Sequence, residues 1–430
     1  MIPELRAQFN EHFTRQAYES LLARLEERCG ARIGFRVAET PIFLPLPRLE
    51  ELAAAGTGLA RCILGDAECL AAARMAIPDG YRIAGETAHP NFLTADFALV
   101  RDQAGGLVPR LVEIQAFPSV YAYQVELCGA YRDAYRSVFA DATTGGSELG
   151  IFLSGLDEHG YWELLRKTVV GDRDPENVVL AEVDPLHQKT RPDFEVTARR
   201  LGIAVADIRE LVPEKGRLHY RNGAGRLVPI HRIYNRAIAD ELIARDVKLP
   251  FDLTRPWDVE WAGHPNWYFL ISKFSIPWLS RPPMQCPVVP PAVFLSDFLD
   301  GHGREELEKA GVRLPLTRGA ETVYGELLLK PLFSFAGKGI QFDPTQAQLE
   351  AIPAAERASY LLQQRMRFEP TIQTPCGLTQ AEIRILYLWP DGGELTAALS
   401  LVRLGRGKMM GVDHNRDLAW VGASAAFFVR

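Results

Sequence analysis

The sequence has no CxxC pair, no HExxH helix and no GxxxxGKS/T loop, which removes a zinc or redox centre and a P-loop nucleotide site from consideration. Its six cysteines (Cys29, Cys62, Cys69, Cys128, Cys286, Cys376) are scattered, as expected of reduced thiols in a cytoplasmic protein rather than of a disulfide framework. No apolar run approaches the ~20 residues of a membrane span, and MIPELRAQFNEHF is charged from its fourth residue, so neither insertion nor secretion is expected. Lys and Arg total 48 against 54 for Asp and Glu, a net charge of −6, so the cationic excess of a general nucleic-acid surface is missing. Internal repeats and low-complexity segments are also absent. What remains is ordinary globular composition over 430 residues, enough for two or three packed units.

Phe13, Ala17, Leu21, Leu22 and Leu25 recur at helical spacing from Glu11 to Arg28, and Cys29-Gly30 supplies a stop. Residues 48–75 and Tyr121–Phe139 carry the same periodicity. Between them, LTADFALV and RLVEIQAF flank DQAGG, the pattern of a β-hairpin. In the middle of the chain NVVLAEVDP, a helical stretch over Pro192–Leu201 and GIAVADIREL form strand, helix, strand, the unit of an open parallel sheet. SRPPMQCPVVPPAVF is dense in proline and reads as a surface linker. From Val323 onward GELLLKP, GIQFD, SYLLQQRM, AEIRILYLW and LTAALSLVRL read as one antiparallel sheet with a glycine-bearing loop. The fold class is therefore mixed α/β (α+β).

Three groups of residues carry chemistry. In the hairpin, Asp96 interrupts an apolar strand, and Glu113 and Gln115, two apart, share a face. If Arg101 pairs with Arg110, Asp96 lies opposite Gln115 and diagonal to Glu113, and the three oxygen donors converge as Mg²⁺ bridged to phosphate would require. The alternative is a solvated hairpin face.

The second group is cationic. Lys330 closes GELLLKP, and Lys338 stands between two glycines in FSFAGKG, where backbone N–H groups and a point charge could lie over a triphosphate. Lys273 sits in NWYFLISKFSIPWL, a segment so apolar that the ammonium needs a partner, a ligand or a route to the surface. The third group is polar. Arg384 follows Glu382 on one strand face, where an ion pair within the sheet is the plain reading. Arg403, Arg406 and Lys408 form a basic loop, and Asp413 and Asn415 in GVDHN suggest an Asx-type turn or oxygen ligands. Ser119 is either a helix N-cap before Tyr121 or a donor to substrate.

Four stretches, taken in order, resemble the ATP-grasp superfamily, specifically the circularly permuted branch that includes the synthetase portion of glutathionylspermidine synthetase. TADFALV…RLVEIQAFPS resembles that family's metal-binding strands. ISKFSIPWL with CPVVPPAVF resembles its Asn-Lys helix and proline-rich exit, LLLKPLFSFAGKGI its Lys-Pro strand and phosphate loop, and LLQQRM its hinge; IYNRAIADEL adds a fifth similarity. The resemblance implies Asp96, Glu113 and Gln115 as metal ligands and Lys273, Lys330 and Gln364 as nucleotide contacts. Lys338, Arg384 and Ser119 are added by their chemistry. This chain departs from the pattern at Thr94, where the family has Arg, and at Gln115, where it has Asn.

The resemblance also implies three units. Residues 1–150 would be the N-terminal part of the catalytic unit, 151–285 a pre-ATP-grasp-like layer and 286–430 the nucleotide-binding part. The expected activity is an ATP- and Mg²⁺-dependent carboxylate-amine ligation of small molecules through an acyl phosphate. A small-molecule kinase, or an ATP-binding scaffold or sensor without turnover, is the alternative.

Overall fold

The computed structural model describes the chain except residues 144–148, 317–318, 335–336, 412–414, 416 and 430. Asp413 therefore lies outside the described residues.

The helical stretches expected near the front are real but broken by local capping. The first is two helices, Pro3–His12 and Arg15–Cys29, because the Thr14 side chain accepts from the Ala17 N–H and starts a new turn. Gly30 ends the second at φ 67°, a left-handed cap that glycine adopts without strain. Asp66 likewise splits 48–75 into Leu46–Gly65 and Ala67–Met75 by accepting from the Cys69 N–H. Tyr121–Phe139 breaks after Ala134.

Three sheets position the site. A four-stranded sheet, in spatial order Glu260–Ala262, Arg232–Asn235, Val178–Glu182 and Ala204–Asp207, is parallel throughout, with the helix Arg191–Leu201 connecting its last two strands. Its two inner strands, Val178–Glu182 and Arg232–Asn235, are buried at every position, as strands covered on both faces require. A six-stranded antiparallel sheet runs Gly422–Ser424, Thr396–Gly405, Gly377–Leu388, Phe92–Arg101 and Leu107–Gln115, with Ile372–Thr374 paired at its side. A four-stranded antiparallel sheet orders Ala292–Phe294, Tyr360–Gln364, Leu327–Pro331 and Gln341–Phe342.

This corrects the expectation of one sheet after Val323. AEIRILYLW and LTAALSLVRL leave the other strands and pair with the hairpin from the front of the chain, because Ile383, Ile385 and Tyr387 join Ala95, Phe97 and Ile114 in a common core under the helix Leu46–Gly65. Helix and sheet approach closely there: a Cβ on Gly56 would overlap the Tyr387 hydroxyl. The two ends of the chain meet a second time where Ile42–Pro45 pairs in parallel with Ala426–Val429.

Candidate active site

The hairpin that carries the predicted ligands forms, but in a different register. Arg101 opposes Leu107, not Arg110, and Val112 is an extra residue bulged between two paired positions. Asp96 consequently faces Glu113 directly, and Gln115 faces Thr94. The bulge also turns the Val112 carbonyl toward Lys330, whose ammonium donates to it at 3.3 Å.

Asp96, 1% exposed, is held by two arginines from the neighbouring strands. Arg384 donates from Nε at 2.6 Å and from Nη2 at 2.7 Å, a bidentate fork, while Arg403 reaches the same carboxylate from one strand further away. Burial alone would push the Asp96 carboxyl up; the two guanidinium groups outweigh it and hold it below the usual carboxylate range. Arg384 spends its remaining nitrogen on Ser119, donating from Nη1 to Oγ at 3.1 Å. The ion pair expected within the sheet at Arg384 forms, with Asp96 as its partner. Glu382 pairs with Arg403, which stands directly opposite it on the next strand, and burial raises the Glu382 carboxyl to about 7 although Arg403 opposes the rise.

Ser119 is not the helix cap. The helix Tyr121–Ala134 has no side-chain cap from its own segment. Asp193 serves instead, accepting from the N–H groups of Ala122 at 2.9 Å and Tyr123 at 3.0 Å. The Ser119 carbonyl accepts from Arg236 of the parallel sheet at 2.7 Å, so this residue ties two layers together.

The lysines converge on Glu113. Lys273 does not snorkel: it is buried, lies 2.8 Å from Glu113 Oε1 and donates to the Ser334 carbonyl at 2.6 Å. Lys330 is 4% exposed and donates to Gln363 Oε1 at 2.6 Å. Burial lowers its ammonium to about 8, with Glu113 pulling in the other direction. Register places Gln363, opposite Leu328, on the face of Lys330, whereas Gln364, opposite Leu327, stands on the other face and bonds through its backbone N–H to Pro291. The sequence named the neighbour of the residue that meets the lysine.

Lys338 is exposed at the tip of its turn and contributes, with Lys273, to the field at half-buried Asp240. Gly337 and Gly339 have φ of 73° and 77°, and side chains there would run into Met409 and Pro331, so the loop needs both glycines. Asn415 is a loop staple, accepting from the Arg406 N–H and donating to the Met409 and Gly411 carbonyls.

Of these groups, Glu113, Lys330, Glu382 and Arg403 border one cleft of about 100 Å³ between the six-stranded and the four-stranded antiparallel sheets, smaller than the ~300–1,000 Å³ span usual for small-molecule sites. One part of its wall is apolar, with Leu328, Ile340, Phe342, Met366, Phe368 and Met409; the charged part presents Glu113, Lys330, Glu382 and Arg403. A hollow of about 350 Å³ also opens beside the edge strand Glu260–Ala262, but it holds none of the predicted residues, and its Arg232 is already paired with Glu260 and Asp391. The cleft is therefore the better candidate despite its smaller size.

Among the described residues no cluster of three or more His, Cys, Asp or Glu is arranged to hold a metal ion. Glu113 and Gln115 do fit Mg²⁺ of the kind that takes one or two protein oxygens and fills its shell with phosphate and water. Asp96 would join them only by releasing a guanidinium. Sequence reasoning missed Arg403, Glu382 and Gln363 as members of the site. Glu382 meets Arg403 only because Ala398 is an extra residue bulged between the partners of Tyr387 and Leu386; a regular hairpin from the Leu388–Thr396 pair would have set Val402 there.

No family model matches the chain, and no curated protein matches it in sequence. In three dimensions it is similar to a glutathione synthetase-like effector from Globodera pallida in its apo form, with TM-score 0.54 and 11% identity over 99% of this chain and 97% of that one. A protein assigned as a gamma-glutamylcysteine synthetase from Methylobacillus flagellatus KT aligns over 96% of this chain and 89% of that one at 11% identity, with a TM-score of 0.37, too low to bear on the fold. At such identity the likeness concerns architecture alone: this chain shares its mixed α/β fold, nearly end to end, with the Globodera effector.

Proposed function

We propose that this chain is a circularly permuted ATP-grasp enzyme that joins a small-molecule carboxylate to an amine at the expense of ATP. The observation that carries the reading is the cleft between two antiparallel sheets, apolar over one part and lined over the other by Glu113, Lys330 and the Glu382–Arg403 pair. The apolar part suits a purine and the charged part a triphosphate. Permutation is supported by the six-stranded sheet, in which strands from residues 92–115 and 377–424 are neighbours. On this reading residues 1–150 and 286–430 build the catalytic unit around a pre-ATP-grasp-like layer at 151–285. The name of the Globodera effector, a glutathione synthetase-like protein, is in keeping with ligase chemistry.

In the reaction, a substrate carboxylate oxygen attacks the terminal phosphorus of ATP, the bond from that phosphorus to the bridging oxygen breaks, and ADP leaves. The amine nitrogen then attacks the acyl carbon, phosphate departs with the former carboxylate oxygen, and the amine proton is lost to solvent. Little acid-base machinery is needed; fixed positive charge around the transferred group does most of the work. Lys273 and Lys330 supply that charge, Lys338 adds to it from the loop, and Gln364 offers backbone next to the base. Ser119 would orient the substrate carboxylate, with Arg384 holding the serine in place. Mg²⁺ held by Glu113 and Gln115, with Asp96, would neutralise phosphate charge.

The assay is Mg²⁺-dependent release of ADP over panels of acids and amines, wild type against Glu113→Ala. Release that requires both co-substrates and falls at least ~100-fold in the variant supports the reading; release unchanged by the substitution removes Glu113 from the site. A nucleotide-binding protein without turnover is the second reading, favoured by the full engagement of Asp96 with guanidinium groups. ATP binding with no ADP release over the whole panel would select it.

A further inference from the structure

We infer that Arg403, rather than Arg384, is the guanidinium that contacts the polyphosphate of the bound nucleotide, an assignment that rests on the nucleotide reading of the cleft. The two arginines approach Asp96 from neighbouring strands but are not equivalent. Every side-chain nitrogen of Arg384 is engaged: Nε and Nη2 by Asp96 and Nη1 by Ser119. Its side chain is 11% exposed and does not border the cleft. Arg384 is thus a positioning residue that fixes Asp96 and the Ser119 loop.

Arg403 is differently placed. Its side chain is 22% exposed and borders the cleft together with Glu113, Lys330 and Glu382. Among the described residues only Nη2 is used, shared between Asp96 and Glu382, and Nε is buried without a hydrogen-bond partner. A buried unpaired N–H on a guanidinium is unfavourable unless something accepts from it. Phosphate oxygen is the acceptor whose charge and planar pairs of lone-pair directions suit a guanidinium. Asp96 and Glu382 hold the arginine from behind, so its free edge is oriented before the nucleotide arrives. Lys408 also borders the cleft, but its ammonium sits 5.6 Å from the Phe342 ring and 3.5 Å from Asp343, on the apolar side.

The test is binding to the intact chain of the non-hydrolysable imido analogue of ATP with Mg²⁺, and of AMP, which shares the base and sugar but not the polyphosphate. Arg403→Met is expected to weaken the triphosphate analogue about 10–100-fold while AMP changes less than about twofold. Arg403→Lys keeps the charge beside Asp96 and Glu382 but loses the planar fork, and recovers only part of the affinity; it carries the comparison if the Met variant does not fold. The Arg403 Nε–H resonance, identified by its loss in Arg403→Lys, should shift with the analogue and stay put with AMP. Equal effects on both nucleotides, full recovery by lysine, or an unmoved resonance would overturn the assignment while leaving the cleft a nucleotide site. Wild type binding neither nucleotide would overturn the cleft reading and the assignment together.

Discussion

Replacing Lys330 with methionine separates the stability of the cleft from its chemistry. The lysine is 4% exposed, and burial depresses its ammonium from 10.5 to about 8; at ~1.36 kcal/mol per pH unit, that corresponds to ~3 kcal/mol of destabilisation while the group is charged. Lys330→Met removes this penalty at nearly constant volume but leaves Gln363 Oε1, now 2.6 Å from the ammonium, without its donor, a loss of ~1–3 kcal/mol. The variant should therefore be between equal in stability and ~2 kcal/mol more stable at pH 7, and should bind the triphosphate poorly. Below pH 8 the lysine is protonated in both folded and unfolded chains, and the folded chain bears the whole penalty. Between about 8 and 10.5 the folded lysine sheds its proton while the unfolded one keeps it, so wild-type stability rises with pH relative to the variant. Urea midpoints of both proteins at pH 7, 8, 9 and 10 should show the variant's advantage shrinking by up to ~3 kcal/mol. A gap independent of pH, or one that widens in the variant's favour, would refute the reasoning.

The same depressed ammonium implies proton uptake when phosphate arrives beside it: near pH 8 the calorimetric enthalpy of nucleotide binding should vary with the ionisation enthalpy of the buffer, and at pH 6 it should not. Gly56→Ala should destabilise the chain by about 1–3 kcal/mol, because the new methyl overlaps the Tyr387 hydroxyl, and Tyr387→Phe in the same chain should recover at least half of the lost melting temperature. Asp193→Ala should lower stability by ~1–2 kcal/mol and speed hydrogen exchange at the Ala122 and Tyr123 amides, which lose their acceptor.

The hairpin was legible because its signals are local: an acid in an apolar strand, two donors two residues apart, a turn rich in glycine. Its register was not. Pairing Arg101 with Arg110 placed the turn three residues out of register, since Arg101 meets Leu107, and from that start the bulge at Val112 makes Asp96 meet Glu113 rather than Val112. No residue type in RLVEIQAF announces that bulge; its consequences, the Leu111 N–H bonded to Val288 and the Val112 carbonyl bonded to Lys330, lie in partners 177 and 218 residues away. Lys273 was legible as a charge needing a partner, but the partner could not be named. An ion pair within the sheet was legible at Arg384, but not its partner Asp96, nor the pairing of Glu382 with Arg403 from the facing strand.

The long reach of these pairs constrains how the site can form. Asp96 and Arg384 are 288 residues apart, and Glu113 and Lys273 are 160 apart, so neither carboxylate has its cation until the hairpin has met distant parts of the chain. Closing such loops early is entropically unfavourable. Asp96 is nonetheless buried to 1% exposure, and a buried carboxylate without its cation is destabilising by several kcal/mol. The strand Phe92–Arg101 thus gains from burial only after Gly377–Leu388 and Thr396–Gly405 have docked. A chain cut before Gly377 would lose both arginines of Asp96 together with the apolar strand that covers Phe97 and Ala95. It should show no protected amides in the hairpin by hydrogen exchange, whereas protection equal to that of the full chain would mean that the hairpin folds without them.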